Sequence, residues 1–266
     1  MSAMNDQKQP FNPLLALLAG LAALFFVFPL IGLIAGAPWG NMISVITSKS
    51  SLDALGLSII ASLASTVIAL LFGFPLAWLL ARGRFAGKGL LRGLTTLPMV
   101  LPPVVGGIAL LLAYGRRGII GEPLDNATGI TLPFTLAGVI VAESFVAMPF
   151  FVITVESGLR SMNQRLEDAA RSLGAPRRTV FLRVTLPLIW PSLAAGTVLT
   201  WARALGEFGA TITFAGNLPG VTQTMPLAIY ISQSSNMTDE AIALSLILVV
   251  VSLVVMVFRR DRAGAG

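Results

Sequence analysis

Apolar residues in this chain come in long, nearly unbroken runs separated by short polar connections, not at the alternation of a surface helix or strand. A helix crossing a membrane needs about 20 mostly apolar residues, because it rises about 1.5 Å per residue through about 30 Å of hydrocarbon. Six runs reach that length, near residues 14–35, 55–80, 94–114, 134–155, 188–208 and 242–258. The pattern predicts an all-α, polytopic membrane protein: one transmembrane domain over 1–266 with about six spans. The third run contains Pro98, Pro102, Pro103, Gly106 and Gly107. Such residues break the helical hydrogen-bond ladder, which at membrane depth is tolerated only against protein or a water-filled cavity. This run therefore reads either as part of a pathway or as a kinked packing helix.

Composition agrees with the runs. Apolar residues make up 55% of the 266 positions and charged residues 11%, against about 25% charged in soluble domains; mean hydropathy is +0.85. The chain has no histidine and no cysteine. Disulfides, thiolate nucleophiles, imidazole acid–base chemistry and the usual zinc ligands are thereby excluded, and no metal site is expected. Ala35-Gly36-Ala37 resembles a small-residue cleavage site. The apolar run before it exceeds a signal core of about 7–15 residues, and only Lys8 precedes it, so the first span reads as uncleaved.

The net charge of +6 gains its meaning from position. With both termini on one side, that side carries Lys8, Arg82, Arg84, Lys88, Arg92, Arg160, Arg165, Arg171, Arg177, Arg178, Arg183, Arg259, Arg260 and Arg262. Only Lys49, Arg116 and Arg117 fall opposite, and Arg203 lies within a span. The basic side faces the cytoplasm, so the positive excess reflects topology and not nucleic-acid binding. The longest connections, 156–187 inside and 209–240 outside, leave no room for a soluble domain, and no inverted repeat of the secondary-transporter kind is evident.

The inner connection holds the most informative residues. From Asn163 to Leu173 the composition favours helix; Gly174 then supplies a residue suited to positive φ, and Pro176 prevents continuation. Leu166, Ala169, Ala170 and Leu173 recur at spacings of three and four to form a small apolar face, while Glu167, Asp168, Arg171 and Ser172 are polar. So short a helix is marginal alone in water and needs a docking surface.

At these residues the chain resembles the permease subunits of bacterial ABC importers. Their cytoplasmic signature is Glu-Ala-Ala, three residues, Gly, nine residues, then Ile-x-Leu-Pro. Asp168 takes the Glu position, Ala169, Ala170 and Gly174 match, and Val184, Leu186 and Pro187 complete it. The resemblance implies the type I ABC importer permease fold and a coupling helix within 156–187 that seats in a groove of an ATPase subunit. Glu167, Asp168, Ala169, Ala170, Leu173, Gly174, Leu186 and Pro187 are the implied coupling residues. It also implies two ATPase subunits that use ATP and Mg, an extracytoplasmic binding protein, a second copy of the permease and a bacterial inner-membrane location. The chain itself is then non-catalytic and carries no cofactor. The stretches Ala202–Thr211, Phe214–Gly220 and Thr222–Tyr230 resemble the molybdate, tungstate and sulfate branch, and molybdate permeases most. Sulfate, thiosulfate or tungstate permeases are the alternatives within the class; an ATP-independent secondary anion transporter is the alternative outside it. An intramembrane enzyme is disfavoured by the missing His and Cys.

An intramembrane charge needs a partner or a wet wall. Arg203 and Glu207, four apart, read as one helical face holding either a structural ion pair or a pathway arginine whose partner moderates anion binding. Thr211, Pro102, Pro103 and Gly106 are further pathway candidates. Thr197, Thr200, Thr211 and Thr213 offer hydroxyls, although such residues more often bond to their own helix carbonyls. Gly32-x-x-x-Gly36 matches a packing motif by chance composition. Gly83-Arg84-Phe85-Ala86-Gly87-Lys88-Gly89 fails the phosphate-loop spacing and lacks the closing Ser or Thr, so the chain has no nucleotide site.

Overall fold

The structure, a computed structural model, describes residues 12–263, with side chains to residue 254. Lys8 lies outside the described residues, as do the side chains of Arg259, Arg260 and Arg262. Helix α1 (Pro13–Ala35) begins at Asn12, whose side chain accepts a hydrogen bond from the Leu14 N–H. A short α2 (Met42–Ile46) leads to α3 (Lys49–Ile68), a π-helical turn (Ala69–Gly73) and α4 (Phe74–Arg82). These last three form one continuous 34-residue rod. After a turn come α5 (Lys88–Thr96), α6 (Pro103–Tyr114), α7 (Gly121–Thr128) and the 26-residue α8 (Leu136–Ser161). Outside the apolar bundle lies α9 (Arg165–Ser172). Then α10 (Arg177–Val180), a second π-helical turn (Phe181–Thr185) and α11 (Leu186–Leu205) make a 29-residue rod. The chain ends with α12 (Gly209–Ala215), α13 (Met225–Ser234) and α14 (Thr238–Ala263).

Among the described residues, four helical rods are long and apolar enough to cross a membrane, or five with one bent pair. The first, second, fourth and fifth predicted spans fall on those rods, and α14 contains the sixth range, 242–258. The third is not straight: the segment from Lys88 to Met99 and α6 diverge by 117°. Pro102 and Pro103 cannot donate to the ladder, and Pro102 is held extended at ψ 131° as the N-cap of α6. The fifth rod stops at Leu205, three residues short of the predicted end, because the chain turns at Gly206.

Helix α8 is the centre. Association of helices in lipid relies on close packing more than on the hydrophobic effect, so small residues sit where backbones meet. Phe151 of α8 is fully buried between two glycines: a Cβ on Gly73 would stand 2.9 Å from its ring, and one on Gly196 of α11 3.2 Å. Around it pack Val152, Val155 and Leu159 of α8, Ala77 and Leu80 of α4, and Ile189 and Leu193 of α11. Helix α3 contributes a stripe of Ser51, Ala54, Ser58, Ala61, Ser62 and Ser65. Two of its hydroxyls reach other elements: Ser58 accepts from the Met225 N–H at 2.7 Å, and Ser65 lies 3.2 Å from the Ser144 hydroxyl. Helix α1, by contrast, buries no residue. The segment 83–89 comprises the turn between α4 and α5 and the first two residues of α5; Gly87 at φ +86° precedes the helix and Lys88 Nζ donates to the Gly83 carbonyl.

Candidate functional site

The outer helix forms as its residues dictate. Asn163 Oδ1 accepts from the Arg165 N–H at 3.1 Å, Glu167 and Asp168 occupy the first turn and Arg171 the last, which complements the helix dipole. Gly174 at φ +81° donates to the Arg171 carbonyl, closing the helix, and Pro176 caps α10. Within the described residues the apolar face is uncovered: Leu173 is 88% exposed and Leu166 48%. Asp168 stands in solvent beside Arg171 at 3.3 Å, and Ala169 is exposed with Ala170 half-buried beside it.

Glu167 departs from the polar grouping in which the sequence places it. Its side chain turns inward and is 3% exposed. Arg82, at the end of α4, meets its two carboxylate oxygens at 3.1 and 3.2 Å, and the Thr185 hydroxyl donates to it at 2.6 Å. Arg82 also lies over the Trp78 ring at 5.7 Å and contacts the Met162 sulfur at 3.2 Å. Leu186 and Pro187 open α11, with Leu186 packed on the central cluster. Beside this joint a second buried acid, Glu156 of α8, binds Arg92 of α5 at 2.5 Å and Arg160 at 2.9 Å. The Leu80 carbonyl accepts from both arginines. Arg82, Arg92, Arg160 and Arg171 thus gather at one end of the bundle.

The second group of candidates meets deeper in the bundle. Because α11 ends at Leu205, Arg203 and Glu207 do not share a continuous helix; the chain bends between them and still joins Nη2 to Oε2 at 2.6 Å. The other oxygen of Glu207 accepts from the Ala210 N–H at 2.8 Å at the start of α12, and the residue is 1% exposed. A pocket of about 270 Å³ is lined by Pro103, Val104, Arg203, Gly206, Glu207, Phe208 and Gly209. Arg203, Glu207 and Pro103 are therefore brought together, with Pro102 adjoining as the α6 cap. The amino-terminal end of α6 adds a partial positive charge beside the Arg203–Glu207 pair, although Pro102 and Pro103 have no N–H and those of Val105 and Gly106 bond to the Pro102 carbonyl. Gly106 is elsewhere: it is buried where a Cβ would stand 3.1 Å from the Phe145 ring, a packing position.

The threonines divide. Thr197 and Thr213 each donate at 2.8 Å to a carbonyl four residues back in the chain. Thr200 and Thr211 are fully buried with hydroxyls that meet no partner among the described residues. Like Glu156, Glu143 escaped the sequence reading: it lies in the first third of α8, is 1% exposed, and its Oε2 has no partner among the described residues. Its signal was available, since a lone ionisable residue inside an apolar run marks a functional position.

Comparison with known proteins places this architecture. Residues 73–260 match a family described as the binding-protein-dependent transport system inner membrane component. The molybdenum transport system permease protein ModB of Mycobacterium tuberculosis is 47% identical over 250 residues, covering 94% of each chain. The protein of that name from Escherichia coli is 43% identical over 220 residues, 80% of this chain and 96% of its own. Among solved structures, a bacterial ABC transporter involved in alginate import superposes with a TM-score of 0.71 at 22% identity, over 95% of this chain and 96% of that one. An inward-facing form of the MetNI methionine transporter gives 0.61 at 18% identity, over 82% and 97%. At those identities the structures speak for the fold alone. With the family matched over most of its length and close relatives covering nearly all of it, the chain belongs to the binding-protein-dependent transport system inner membrane components, the permease subunits of ABC transporters.

Proposed function

We propose that this chain is the membrane subunit of an ATP-driven importer and that its cargo is an oxyanion, molybdate. The observation that carries the reading is α9, a short helix held outside the bundle with Leu166 and Leu173 turned to solvent. A permease with no nucleotide site of its own needs such a handle. Two ATPase subunits using ATP and Mg grip the 164–178 region of a permease homodimer, and an extracytoplasmic binding protein delivers the anion. The basic end of the bundle is cytoplasmic. The cargo assignment rests on relatives named as molybdenum permeases and on the Arg203 pocket. Arg203 draws the dianion, while Glu207 holds the guanidinium and tempers its attraction, so that the anion passes instead of lodging.

The test is reconstitution in lipid vesicles with candidate ATPase subunits and binding protein loaded with molybdate, tungstate or sulfate. Molybdate is expected to stimulate ATP hydrolysis and uptake; stimulation by sulfate alone overturns the cargo, and failure of the ATPase subunits to co-purify overturns the class. Arg203→Gln is expected to cut uptake about tenfold, equivalent to about 1.4 kcal/mol on the transport barrier. Undiminished uptake would remove Arg203 from the pathway.

A further inference from the structure

The Glu167 carboxylate is where three elements meet. It belongs to α9, its oxygens take both terminal nitrogens of Arg82 at the end of α4, and the Thr185 hydroxyl from the head of α11 closes on it at 2.6 Å. Arg171, one turn along α9, adds a longer contact at 3.7 Å. Each rod so joined is interrupted by a π-helical turn, at 69–73 below α4 and at 181–185, the latter containing Thr185 itself. Such turns mark places where a helix changes direction, often at functional sites. From α4 the network continues: the Leu80 carbonyl takes Arg92 and Arg160, Glu156 holds both, and Arg92 sits on α5, which leads through the 117° bend to Pro103 at the Arg203 pocket.

We propose that Glu167 is a positioning residue that fixes α9 to α4 and α11, so that displacement of α9 is passed to those two rods and not absorbed at a loose hinge. The inference rests on the importer reading above, in which an ATPase subunit moves α9. It separates two jobs within one helix. Leu166, Ala169 and Leu173 face outward to the motor, while Glu167 faces inward to the spans and has almost no surface left for a partner. Charge-assisted bonds to both carboxylate oxygens hold direction as well as distance, which a single apolar contact does not. Ion pairs joined through a rigid helix, as Arg82 and the Leu80 carbonyl are through α4, are one physical means of coupling two places.

The experiment measures ATP hydrolysis and molybdate uptake in the same vesicles containing permease, ATPase subunits and loaded binding protein. Glu167→Gln keeps the shape and removes the charge. Its ATPase subunits are expected to co-purify in the wild-type ratio while uptake per ATP falls about fivefold or more, the lower end of ordinary coupling energies. Thr185→Val, which deletes only the 2.6 Å bond, is expected to lower the same ratio about twofold and decides the matter if the Gln variant does not fold. Leu173→Asp is the contrast, expected to lose the ATPase subunits. Loss of those subunits in Glu167→Gln would make it a docking residue and overturn the proposal. Wild-type uptake per ATP in both Glu167→Gln and Thr185→Val would overturn it equally. A wild-type permease that never binds ATPase subunits defeats the importer reading itself, an outcome distinct from any confined to the variants.

Discussion

The basic end of the bundle and its deep centre differ in how completely their buried polar groups are paired. At the end, Glu167 and Glu156 are each nearly sealed from solvent and each is met by more than one donor, and among the described residues Arg82 Nε is the buried atom of that network left without a partner. In the centre, Glu143 has an oxygen with no protein partner, and the hydroxyls of Thr200 and Thr211 and the indole N–H of Trp201 are likewise unpaired among the described residues. Glu207 is engaged there by Arg203 and the Ala210 N–H, and Ser65 pairs with Ser144. A fully satisfied network is rigid and has one arrangement; an incompletely satisfied one has capacity left for water or a passing solute. The contrast teaches that this fold pairs its acids more completely at the basic end than in the centre; under the proposed function the first is where motion enters and the second where cargo would travel.

Four stability measurements on the permease in detergent, by thermal unfolding, challenge that contrast. Arg82→Ala removes one member of a buried pair and is expected to cost about 3–5 kcal/mol. A loss below about 1 kcal/mol would put the two regions on the same footing. Gly107→Ala comes next: its Cβ would stand 2.5 Å from the Thr213 Cβ and 2.9 Å from the Ala210 carbonyl oxygen, so α6 and α12 must part, at about 1–3 kcal/mol. Thr200→Val deletes a hydroxyl that meets no partner among the described residues and is expected to be neutral or to stabilise by up to about 1 kcal/mol. Destabilisation instead would show that the centre is as tightly paired as the end. Smallest of all is Arg116→Ala on the opposite end, whose 3.0 Å pair with Asp125 is 78% exposed on the arginine side and should contribute a few tenths of a kcal/mol at most.

What the sequence showed was local. The apolar runs marked the rods, and Gly174 and Pro176 marked where α9 stops, because a positive φ and a missing N–H are properties of single residues. The prolines of the third run announced a break but not its 117° angle, which depends on what the two halves pack against. Ending α11 at Leu205 was hidden for a similar reason: Arg203 and Glu207 have helical spacing, and only the cap that Glu207 offers to α12 shows why the chain turns. Glu167 was the hardest. Polarity put it with Asp168 on a wet face, whereas its partners Arg82 and Thr185 lie 85 and 18 residues away in the chain, beyond the reach of any periodicity.

The bend at residues 99–103 also constrains how the protein is made. Backbone groups freed by a broken helix are not tolerated facing lipid; they need protein or water around them. Here Val100, Pro102 and Pro103 at the bend are exposed in the single chain, and cover by α8 and α12 begins further along α6, with Gly107 against Ala210 and Thr213, and Leu110 against Ala142, Val146 and Phe214. Those covering residues are synthesised after the bend itself. The packed half of α6, from Gly106 to Leu110, can therefore reach its final contacts only once α8 and α12 have been made.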